Sequence, residues 1–194
     1  MSYQVAAKTL LRDTLLDAVG ELLAERGWSD VPMAEVARRA GVSRQTLYNE
    51  FGDRTGLAQA YVLREAERFL DDVDAAIASR PDDPRGAVAA AFEVFLTSAS
   101  HHPIVHAIAT GQGEGLLALV TTGDSPVVAL GTARIVEALT GGWPGMAGED
   151  AQAVAECVVR LGISYATLPT GPPRRTAQSL ARVLGPYLDE VVSR

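Results

Sequence analysis

The sequence predicts an all-α protein of about nine helices that begins with a helix-turn-helix. Two observations lead to this fold class. Apolar residues recur three and four positions apart along most of the chain, as they do on one face of a helix. Glycine or proline ends many of these segments, as at Gly27, Gly41 and Pro81. The chain has 194 residues, 47% of them hydrophobic, which is ample for one domain or two small ones.

The first predicted helix covers residues 8–26 and follows a loose arm at residues 1–7. Its apolar side chains form one stripe that ends before Gly27: Leu11, Leu15, Ala18, Val19, Leu22 and Leu23. We expect this helix to pack behind the next two and to complete a three-helix unit. Trp28 and Val31 follow the helix and are predicted to fill the core of that unit.

Residues 32–51 have the form of two short helices joined by a three-residue turn. Pro32 is suited to the start of the first helix, where its missing N–H costs nothing. Gly41 supplies the positive φ that ends this helix, and Ser43 is a good N-cap for the next one. The apolar side chains of the first helix fall on one buried stripe: Met33, Val36, Ala37 and Ala40.

The second of these helices, residues 44–51, is predicted to carry a polar outward face. Leu47 and Phe51 share its inner side, and the outward or flanking side chains are Arg44, Gln45, Thr46, Tyr48 and Asn49. Amide, hydroxyl and guanidinium groups are the groups that read base edges in the major groove. The N–H groups at the helix start, with Arg44 and Tyr48, are suited to phosphates. The pattern predicts a helix-turn-helix whose recognition helix is residues 44–51.

The charge of the chain gives a mixed signal for a nucleic-acid partner. Its net charge is −7, whereas residues 1–57 carry seven basic and eight acidic groups. The stretch 36–49 has no acid and three arginines, which predicts a local basic patch: Arg38, Arg39 and Arg44. Lys8 could reach a phosphate or be an ordinary solvated lysine. Few phosphates can be neutralised by each subunit, so we expect a clear but moderate salt dependence.

Residues 34–54 resemble the DNA-binding signature of the tetracycline-repressor (TetR) family. The shared features are the Ala-Gly-Val-Ser turn, Leu-Tyr-x-x-Phe, and a Gly-Asp-basic start to the next helix. The resemblance is strong over residues 10–60 and continues only in length, helix spacing and the Leu-Pro-x-Gly-Pro loop at residues 168–172. The chain departs from the family pattern at Pro32, Glu50 and Arg54, where Thr, a neutral residue or His, and Lys are common. Glu50 places an anion near the DNA face.

The resemblance and the helix geometry together give the candidate DNA contacts: Arg39, Ser43, Arg44, Gln45, Thr46, Tyr48, Asn49 and Arg54. The next helix is long, from Arg54 to about Ser79, with Asp53 as its N-cap. It spans roughly 39 Å, and the resemblance implies that it carries a signal between the two parts of the protein. Its apolar residues keep a near four-residue step: Leu57, Tyr61, Phe69, Val73 and Ile77. Its solvated face is predicted to hold Arg64, Glu65, Glu67, Arg68, Asp71 and Asp72.

Four helical segments are predicted in the middle of the chain. They are residues 84–100, 104–109, a single apolar turn at 116–120, and 125–139, with a glycine-rich loop at 111–115. The resemblance implies a small-molecule pocket here, for which the candidate lining residues are Phe92, Phe95, His106, Leu116, Leu117, Trp143 and Tyr165. An apolar and aromatic lining favours a lipophilic effector, such as a fatty acid or a hydrophobic drug.

The last two predicted helices, residues 150–168 and 174–192, indicate a homodimer. The first of them is apolar on two sides and must therefore be buried on both. We interpret the pair as half of an intermolecular four-helix bundle, with a purely internal hairpin as the alternative. The predicted interface residues are Val154, Val158, Leu161, Tyr165, Leu180, Leu184, Tyr187 and Leu188. Two recognition helices related by a two-fold axis occupy major grooves roughly 34–36 Å apart, so the operator should be palindromic.

Other chemistries have little support in the sequence. His102 and His106 invite a metal interpretation, but Pro103 separates them and no local ligand set completes the site. His101 with Glu114 could suggest acid–base catalysis, yet catalytic, phosphate-binding and dinucleotide motifs are absent, so no cofactor is predicted. Cys157 is the single cysteine. With neither an apolar run of membrane-spanning length nor a signal-peptide pattern, we expect a cytoplasmic protein without a membrane partner.

These observations predict a helix-turn-helix DNA-binding domain at residues 1–53 and a helical ligand-binding and dimerisation domain at residues 54–194. The predicted function is a ligand-responsive transcriptional regulator, in the first place a repressor that a lipophilic molecule releases from its operator. The alternatives are an activator, a DNA-binding protein that ignores small molecules, or a helical ligand-binding protein or enzyme in which the helix-turn-helix is incidental.

Overall fold

The structure is a computed structural model that describes residues 3–111, 113, 115–122 and 125–193. These residues form ten α-helices and a 3-10 helix at Trp28–Asp30, without a β-strand, so the all-α prediction is confirmed. The helices are α1 (Tyr3–Glu25), α2 (Met33–Arg39), α3 (Arg44–Phe51), α4 (Arg54–Ala78), α5 (Pro84–Ser100), α6 (Pro103–Ala109), α7 (Leu116–Thr121), α8 (Pro126–Gly142), α9 (Gly148–Thr167) and α10 (Pro173–Val192). The helix that exceeds the predicted number of about nine is α7, where the sequence predicted only a single apolar turn.

The helix ends near the N-terminus follow the predicted chemistry. Gly41, between α2 and α3, has a φ of 70°, in the left-handed region that favours glycine. The Ser43 Oγ accepts a hydrogen bond from the Thr46 N–H at 3.0 Å and so caps α3. The Asp53 carboxylate accepts one from the Gly56 N–H at 2.8 Å and caps α4. These caps fix the angles at which α2, α3 and α4 follow one another.

Two helices are longer than predicted. α1 begins at Tyr3 rather than residue 8, because Ala6 and Ala7 are strong helix formers and nothing before them breaks the helix; residues 1 and 2 of the predicted arm lie outside the described residues. α8 continues to Gly142, three residues past the predicted end, and stops just before Pro144. Gln112 and Glu114 of the predicted glycine-rich loop also lie outside the described residues.

The first of two buried apolar clusters joins the N-terminal helices to the middle of the chain. It contains the inner faces of α1, α2 and α3, with Trp28 and Val31 as predicted, and the first half of α4. It also contains Ile104 and Ile108 of α6 and Leu116 and Val120 of α7. The N-terminal helices are thus joined to the middle region, with α1 packed on α6 and α4 packed on α7.

The second cluster holds the rest of α4 together with α5, α8, α9 and α10. In it α9 packs along α8, and α10 packs along α5. This arrangement corrects the predicted dimer interface, since four of the predicted side chains are buried inside the single subunit: Val154, Val158, Leu180 and Leu188. Leu161, Tyr165 and Leu184 are partly buried against the same cluster, and Tyr187 is exposed.

One segment, Leu116–Gly142, is long and apolar enough by composition to cross a membrane. It comprises α7 and α8, which are separate helices. Both helices contribute to the buried clusters, through Leu116, Ile135 and Leu139 among others. Core helices of this kind meet the same compositional criterion.

Candidate DNA-binding surface and ligand cavity

The recognition helix α3 presents a polar face to solvent. Leu47 and Phe51 are buried beneath it in the first cluster, as the periodicity predicted. The exposed side chains are Arg44, Gln45, Tyr48 and Asn49. This geometry brings together two amides, a phenol and a guanidinium on one helix face, which are groups able to contact base edges and phosphates.

The two amides of this face are hydrogen-bonded to each other. The Gln45 Nε2 donates to the Asn49 Oδ1 at 2.8 Å, one helical turn away. The bond does not use the Asn49 Nδ2 donor or the Gln45 Oε1 acceptor. A single Asn or Gln amide, which offers a donor and an acceptor, can bond adenine bidentately in the major groove, so both side chains are candidate adenine contacts.

The hydroxyls of Ser43 and Thr46 are occupied at the start of α3. Besides the cap bond, Ser43 Oγ and Thr46 Oγ1 lie 2.8 Å apart in a mutual hydrogen bond. Thr46 is half-buried rather than directed outward as predicted, because its side chain turns back toward its N-cap. These two residues shape the helix start, where exposed N–H groups meet anions.

The predicted basic patch is largely neutralised by acids from elsewhere. The Arg39 guanidinium donates to Glu21 at 3.1 Å and to Glu25 at 2.9 Å, both on α1. Arg38 pairs with Glu35 at 3.0 Å. The hydrogen bond from Arg39 lowers the pKa of the Glu25 carboxyl. The expectation of a free patch at Arg38 and Arg39 is corrected, because α1 brings its acids against Arg39 and Glu35 of α2 itself pairs with Arg38.

Arg54 is also engaged inside the protein. Its guanidinium donates a short hydrogen bond to the Trp28 carbonyl and lies 4.7 Å from the centroid of the Trp28 ring. Arg54 therefore ties the start of α4 to the 3-10 helix, in place of the DNA contact that the sequence suggested. Among the basic residues of α1 to α3 and Arg54, Arg44 is the one without an ion pair, hydrogen bond or ring contact to the described part of the chain.

Glu50 does not face the DNA side. Its side chain is only 9% exposed, and the carboxylate lies 3.2 Å from Arg12 and 4.0 Å from Lys8, both on α1. The Arg12 guanidinium also covers the Phe51 ring, 5.0 Å from its centroid. The sequence-based placement of this anion on the DNA face is corrected: α1 passes beside the end of α3 and receives it.

An apolar cavity of about 120 Å³ lies between the two buried clusters. Its walls come from α4, α5, α6, α7, α8 and α9. The first cluster contributes Val62, Ile104, Ile108 and Val120, and the second contributes Val73, Ala91, Phe92, Ile135 and Val158. A molecule in this cavity would touch both clusters at once.

Two of the seven residues predicted to line a ligand pocket border this cavity. Phe92 and Phe95 lie on its wall, whereas the other five candidates do not. His106 and Leu117 are exposed, because α6 and α7 turn Ile104, Ile108 and Val120 inward instead. The remaining three are corrected because they pack elsewhere: Leu116 in the first cluster, and Trp143 and Tyr165 against the second.

Phe95 owes its position to a glycine opposite. A Cβ at Gly162 of α9 would lie 3.3 Å from the Phe95 Cε1, closer than an ordinary contact. Phe95 in turn meets the Phe69 ring edge-on, with centroids 5.6 Å apart, and Phe69 meets the His102 ring at 5.2 Å. One side of the cavity is thus a series of packed rings.

Glu65 is a charged residue on the cavity wall that the sequence analysis placed on the solvated face of α4. It is buried, with 6% of its surface exposed, and it contacts two arginines and a histidine. His102 Nε2 lies 3.2 Å away, Arg68 3.0 Å and Arg64 3.2 Å. The sequence did contain the signal, because Glu65 falls midway between Tyr61 and Phe69 on the four-residue apolar step.

The pKa of Glu65 reflects two opposing influences. Burial raises it, but the His102 hydrogen bond and the charges of Arg68 and Arg64 outweigh burial and hold the pKa below its usual value. Arg64 also donates to the Asp17 carboxylate at 2.8 Å and to the Asp13 carbonyl at 3.2 Å. A chain of contacts therefore runs from the cavity wall to α1, which together with α2 and α3 forms the DNA-binding unit.

His101 and His102 make hydrogen bonds within the protein. The His102 Nδ1 accepts a hydrogen bond from the Ile104 N–H at 3.3 Å and caps α6, while its Nε2 faces Glu65. His101 contacts Ser100 and the Thr97 carbonyl, and its suggested partner Glu114 lies outside the described residues. Within the residues that the structure describes, no three His, Cys, Asp or Glu side chains converge as metal ligands would.

The helix-turn-helix with its exposed polar helix defines the class of protein, a helix-turn-helix DNA-binding protein. Residues 15–61 match the family described as bacterial regulatory proteins, tetR family, and residues 83–186 match the bacterial tetracyclin repressor, C-terminal domain. The chain therefore belongs to the TetR family of transcriptional regulators. TetR-family regulators are soluble proteins that bind DNA and act as dimers; they are regulators rather than enzymes.

Two relatives resemble the chain over nearly its whole length. The HTH-type transcriptional regulator AlkX of Mycobacterium tuberculosis is 38% identical over 188 residues, which are 96% of this chain and 89% of that protein. The crystal structure of the TetR family repressor AlkX from Dietzia sp. strain DQ12-45-1b, implicated in biodegradation of n-alkanes, is 38% identical with a TM-score of 0.82. It covers 93% of this chain and 96% of that one.

A TetR-family regulator from Pectobacterium atrosepticum is 21% identical, with a TM-score of 0.68 and 97% of each chain covered. At this identity the likeness shows the fold alone. The shared fold extends from α1 to α10, so the helical region after the helix-turn-helix is part of the same family architecture.

Proposed function

We propose that the chain is a homodimeric repressor that binds a palindromic operator and leaves it when a lipophilic molecule enters the cavity. In this proposal residues 1–53 bind DNA, and residues 54–194 bind the effector and form the dimer. The protein acts in the cytoplasm, on DNA. The observation that carries the proposal is the apolar cavity between the two buried clusters, one of which contains the DNA-binding helices.

The proposed readers of the operator are Gln45 and Asn49, whose amides are exposed and hydrogen-bonded to each other. Arg44 and Tyr48 meet phosphates beside them, together with the N–H groups that follow Ser43. One recognition helix covers only a few base pairs. A dimer with two helices roughly 34–36 Å apart reads two half-sites, which supports a palindromic operator.

The proposed dimer surface is the exposed apolar side of α9 and α10. Leu168, Val183 and Tyr187 are large apolar or aromatic side chains exposed there, and Cys157 is exposed on α9. This face replaces the buried residues that the sequence suggested. Isolated exposed apolar residues are common on any protein, so the support comes from three of them lying on the last helices and their connecting loop.

The proposed effector is a neutral, hydrocarbon-like molecule. The walls are almost entirely aliphatic and aromatic, with Glu65 and Thr167 as their polar members. Arg64 and Arg68 are already paired with the Glu65 carboxylate, so a second carboxylate would be buried among apolar walls without a cation of its own. The similarity to a repressor implicated in n-alkane biodegradation supports the same chemical class. Fatty-acid anions, which the sequence left open, fit this wall less well.

The proposed mechanism is a coupled equilibrium. Small-molecule sites usually measure about 300–1,000 Å³, and this cavity measures only about 120 Å³. A ligand that needs a site of the usual volume therefore has to push the cavity walls apart. α4 forms one wall, and Arg64 on α4 holds α1 through Asp17 and Asp13. Displacing α4 therefore displaces the DNA-binding unit. Allosteric coupling of about 1–3 kcal/mol weakens operator binding roughly 5–150-fold, and by linkage operator weakens effector equally.

The experiment begins with selection of duplexes from a random pool by the purified protein, which yields the operator. Operator affinity is then measured by fluorescence anisotropy with n-decane, 1-decanol or decanoate added to saturation. We expect n-decane and 1-decanol to weaken binding and decanoate to do so less. Unchanged affinity with all three would contradict the effector proposal and support a regulator that ignores such ligands. A transcription assay with the operator placed at a promoter distinguishes repression from activation.

A further inference from the structure

Three side chains form an ionic cluster at the edge of the recognition helix. Lys8 and Arg12 lie on the N-terminal half of α1, and Glu50 is next to the last residue of α3. The side chains of Lys8 and Arg12 are 73% and 43% exposed, whereas that of Glu50 is 9% exposed. The two cations therefore face solvent beside α3 while their shared anion lies beneath them.

The cluster holds the cations in a particular place. The Arg12 guanidinium lies 3.2 Å from the Glu50 carboxylate and 5.0 Å from the centroid of the Phe51 ring, so it is held at the end of α3. Lys8, one turn earlier on α1, lies 4.0 Å from the other carboxylate oxygen. Without this anion, both long side chains could extend toward a DNA backbone beside the recognition helix.

We propose that Glu50 competes with DNA phosphates for Lys8 and Arg12, and that it thereby limits sequence-independent binding and sharpens operator selectivity. The proposal assumes only that α3 enters the groove, and it does not depend on the effector. Lys8 is largely exposed and its ammonium lies 4.0 Å from the carboxylate, so its pairing with Glu50 contributes little to stability and is poorly explained as a stabilising device. Its effect on DNA follows from phosphate contacts, which supply most non-specific affinity.

The other cations of the DNA-binding unit make this competition important. Arg26, Arg38 and Arg39 are paired with acids, and Arg54 lies on Trp28. If Glu50 also keeps Lys8 and Arg12 from DNA, Arg44 and the helix N-termini are the groups that remain to bind the DNA phosphates. A unit with so few available cations depends on its base contacts for affinity, which favours the operator over random DNA.

The test is Glu50→Gln, which keeps the shape and hydrogen-bonding capacity of the side chain and removes its charge. Dissociation constants are measured for the selected operator and for a random duplex of equal length, from about 50 to 200 mM salt. We expect both affinities to rise at low salt and the log–log salt slope to steepen by about 0.9 for each released cation. The ratio of specific to random affinity should fall.

The matched control is Asp30→Asn, which makes the same charge change at an exposed residue of the same unit that carries no ion pair to the described residues. We expect its salt slope to equal that of the parent protein. An equal slope for Glu50→Gln, or the same steepening for Asp30→Asn, would overturn the proposal. A changed base preference at one operator position would instead make Glu50 a base reader and would also overturn it.

A second variant keeps the proposal testable if Glu50→Gln fails to fold. Lys8→Gln alters an exposed side chain on the first turns of α1. Because Glu50 withholds Lys8 from DNA, we expect this variant to bind the random duplex with the parent salt slope. A slope lowered by about 0.9 would mean that Lys8 already contacts a phosphate in the parent protein, and the competition would not exist.

Discussion

The DNA-binding unit and the ligand cavity use charged side chains in opposite ways. Around α1 to α3 most ion pairs lie at the surface, as those of Arg38 and Arg39 do. At the cavity, one acid is buried among apolar walls and contacted by two arginines and a histidine. Surface pairs can exchange for DNA at little cost, whereas a buried pair resists any change in its partners. The first region is therefore suited to a polar partner, and in the proposed mechanism the second responds to displacement of its walls.

The largest expected effect is on stability, at Glu65. Glu65→Ala leaves His102, Arg64 and Arg68 facing one another without their anion, and removing one partner of a buried pair costs about 3–5 kcal/mol. We expect a loss of about 3 kcal/mol by urea unfolding, because Arg68 is partly solvated. Glu67→Ala, on the exposed side of the same helix, should change stability by less than about 0.5 kcal/mol. Similar losses for the two variants would remove the contrast between buried and surface charge.

The next effect concerns base recognition by the amide pair of α3. Asn49→Ala and Gln45→Ala should each cost about 1–3 kcal/mol in operator binding, and each should leave random-duplex binding nearly unchanged. Operator and random duplexes are compared in one salt concentration by anisotropy. If both affinities fall equally, the amides hold the helix or meet phosphates and are not readers.

The third prediction concerns a substitution that partly fills the cavity. Ala66→Leu adds apolar atoms to the wall formed by α4, so an effector no longer has room. Operator affinity should stay within about twofold of the parent protein, while the 5–150-fold response expected of allosteric coupling disappears. Ala75→Leu, on the exposed side of the same helix, should retain the response. A normal response in Ala66→Leu would place the effector site outside this cavity.

The smallest effect is the pH dependence of the Glu65 contribution. Because the folded protein lowers the pKa of this carboxyl, the stabilisation is complete above its unfolded pKa of about 4.3. It is lost as the pH falls through the lowered folded pKa, where the carboxylate takes up a proton. The stability difference between the parent protein and Glu65→Ala should therefore be constant from pH 6 to about pH 5 and should narrow below about pH 4. A difference that widens in acid would contradict the direction of the pKa shift.

The sequence predicts what helix geometry alone determines. The spacing of apolar residues and the capping residues predicted α3 correctly, with Leu47 and Phe51 inward and Gln45 and Asn49 outward. A short helix between two caps has only one rotation that buries its apolar side. The same reasoning placed Glu50 near the DNA face, which the structure corrects, and it did not foresee that Arg39 is paired with acids. Their partners Glu21, Glu25 and Arg12 come from α1, and no local pattern records where another helix brings its charges.

The cavity lies beyond local patterns for a related reason. Phe95 and Trp143 are both large aromatics on amphipathic segments, yet one lines the cavity and the other fills the second cluster. Whether an inward side chain meets another side chain or an empty space depends on six helices at once. Glu65 was recoverable in principle, because an acid at the centre of an unbroken four-residue apolar step can be expected to lie inside.

The close approach of Gly162 to Phe95 implies that the range of acceptable effectors can be retuned by one residue. Even a methyl group at position 162 would crowd the ring, and the ring can move away only toward the hollow that it borders. The cavities of related chains with alanine or serine at this position should accept narrower effectors than those of chains with glycine.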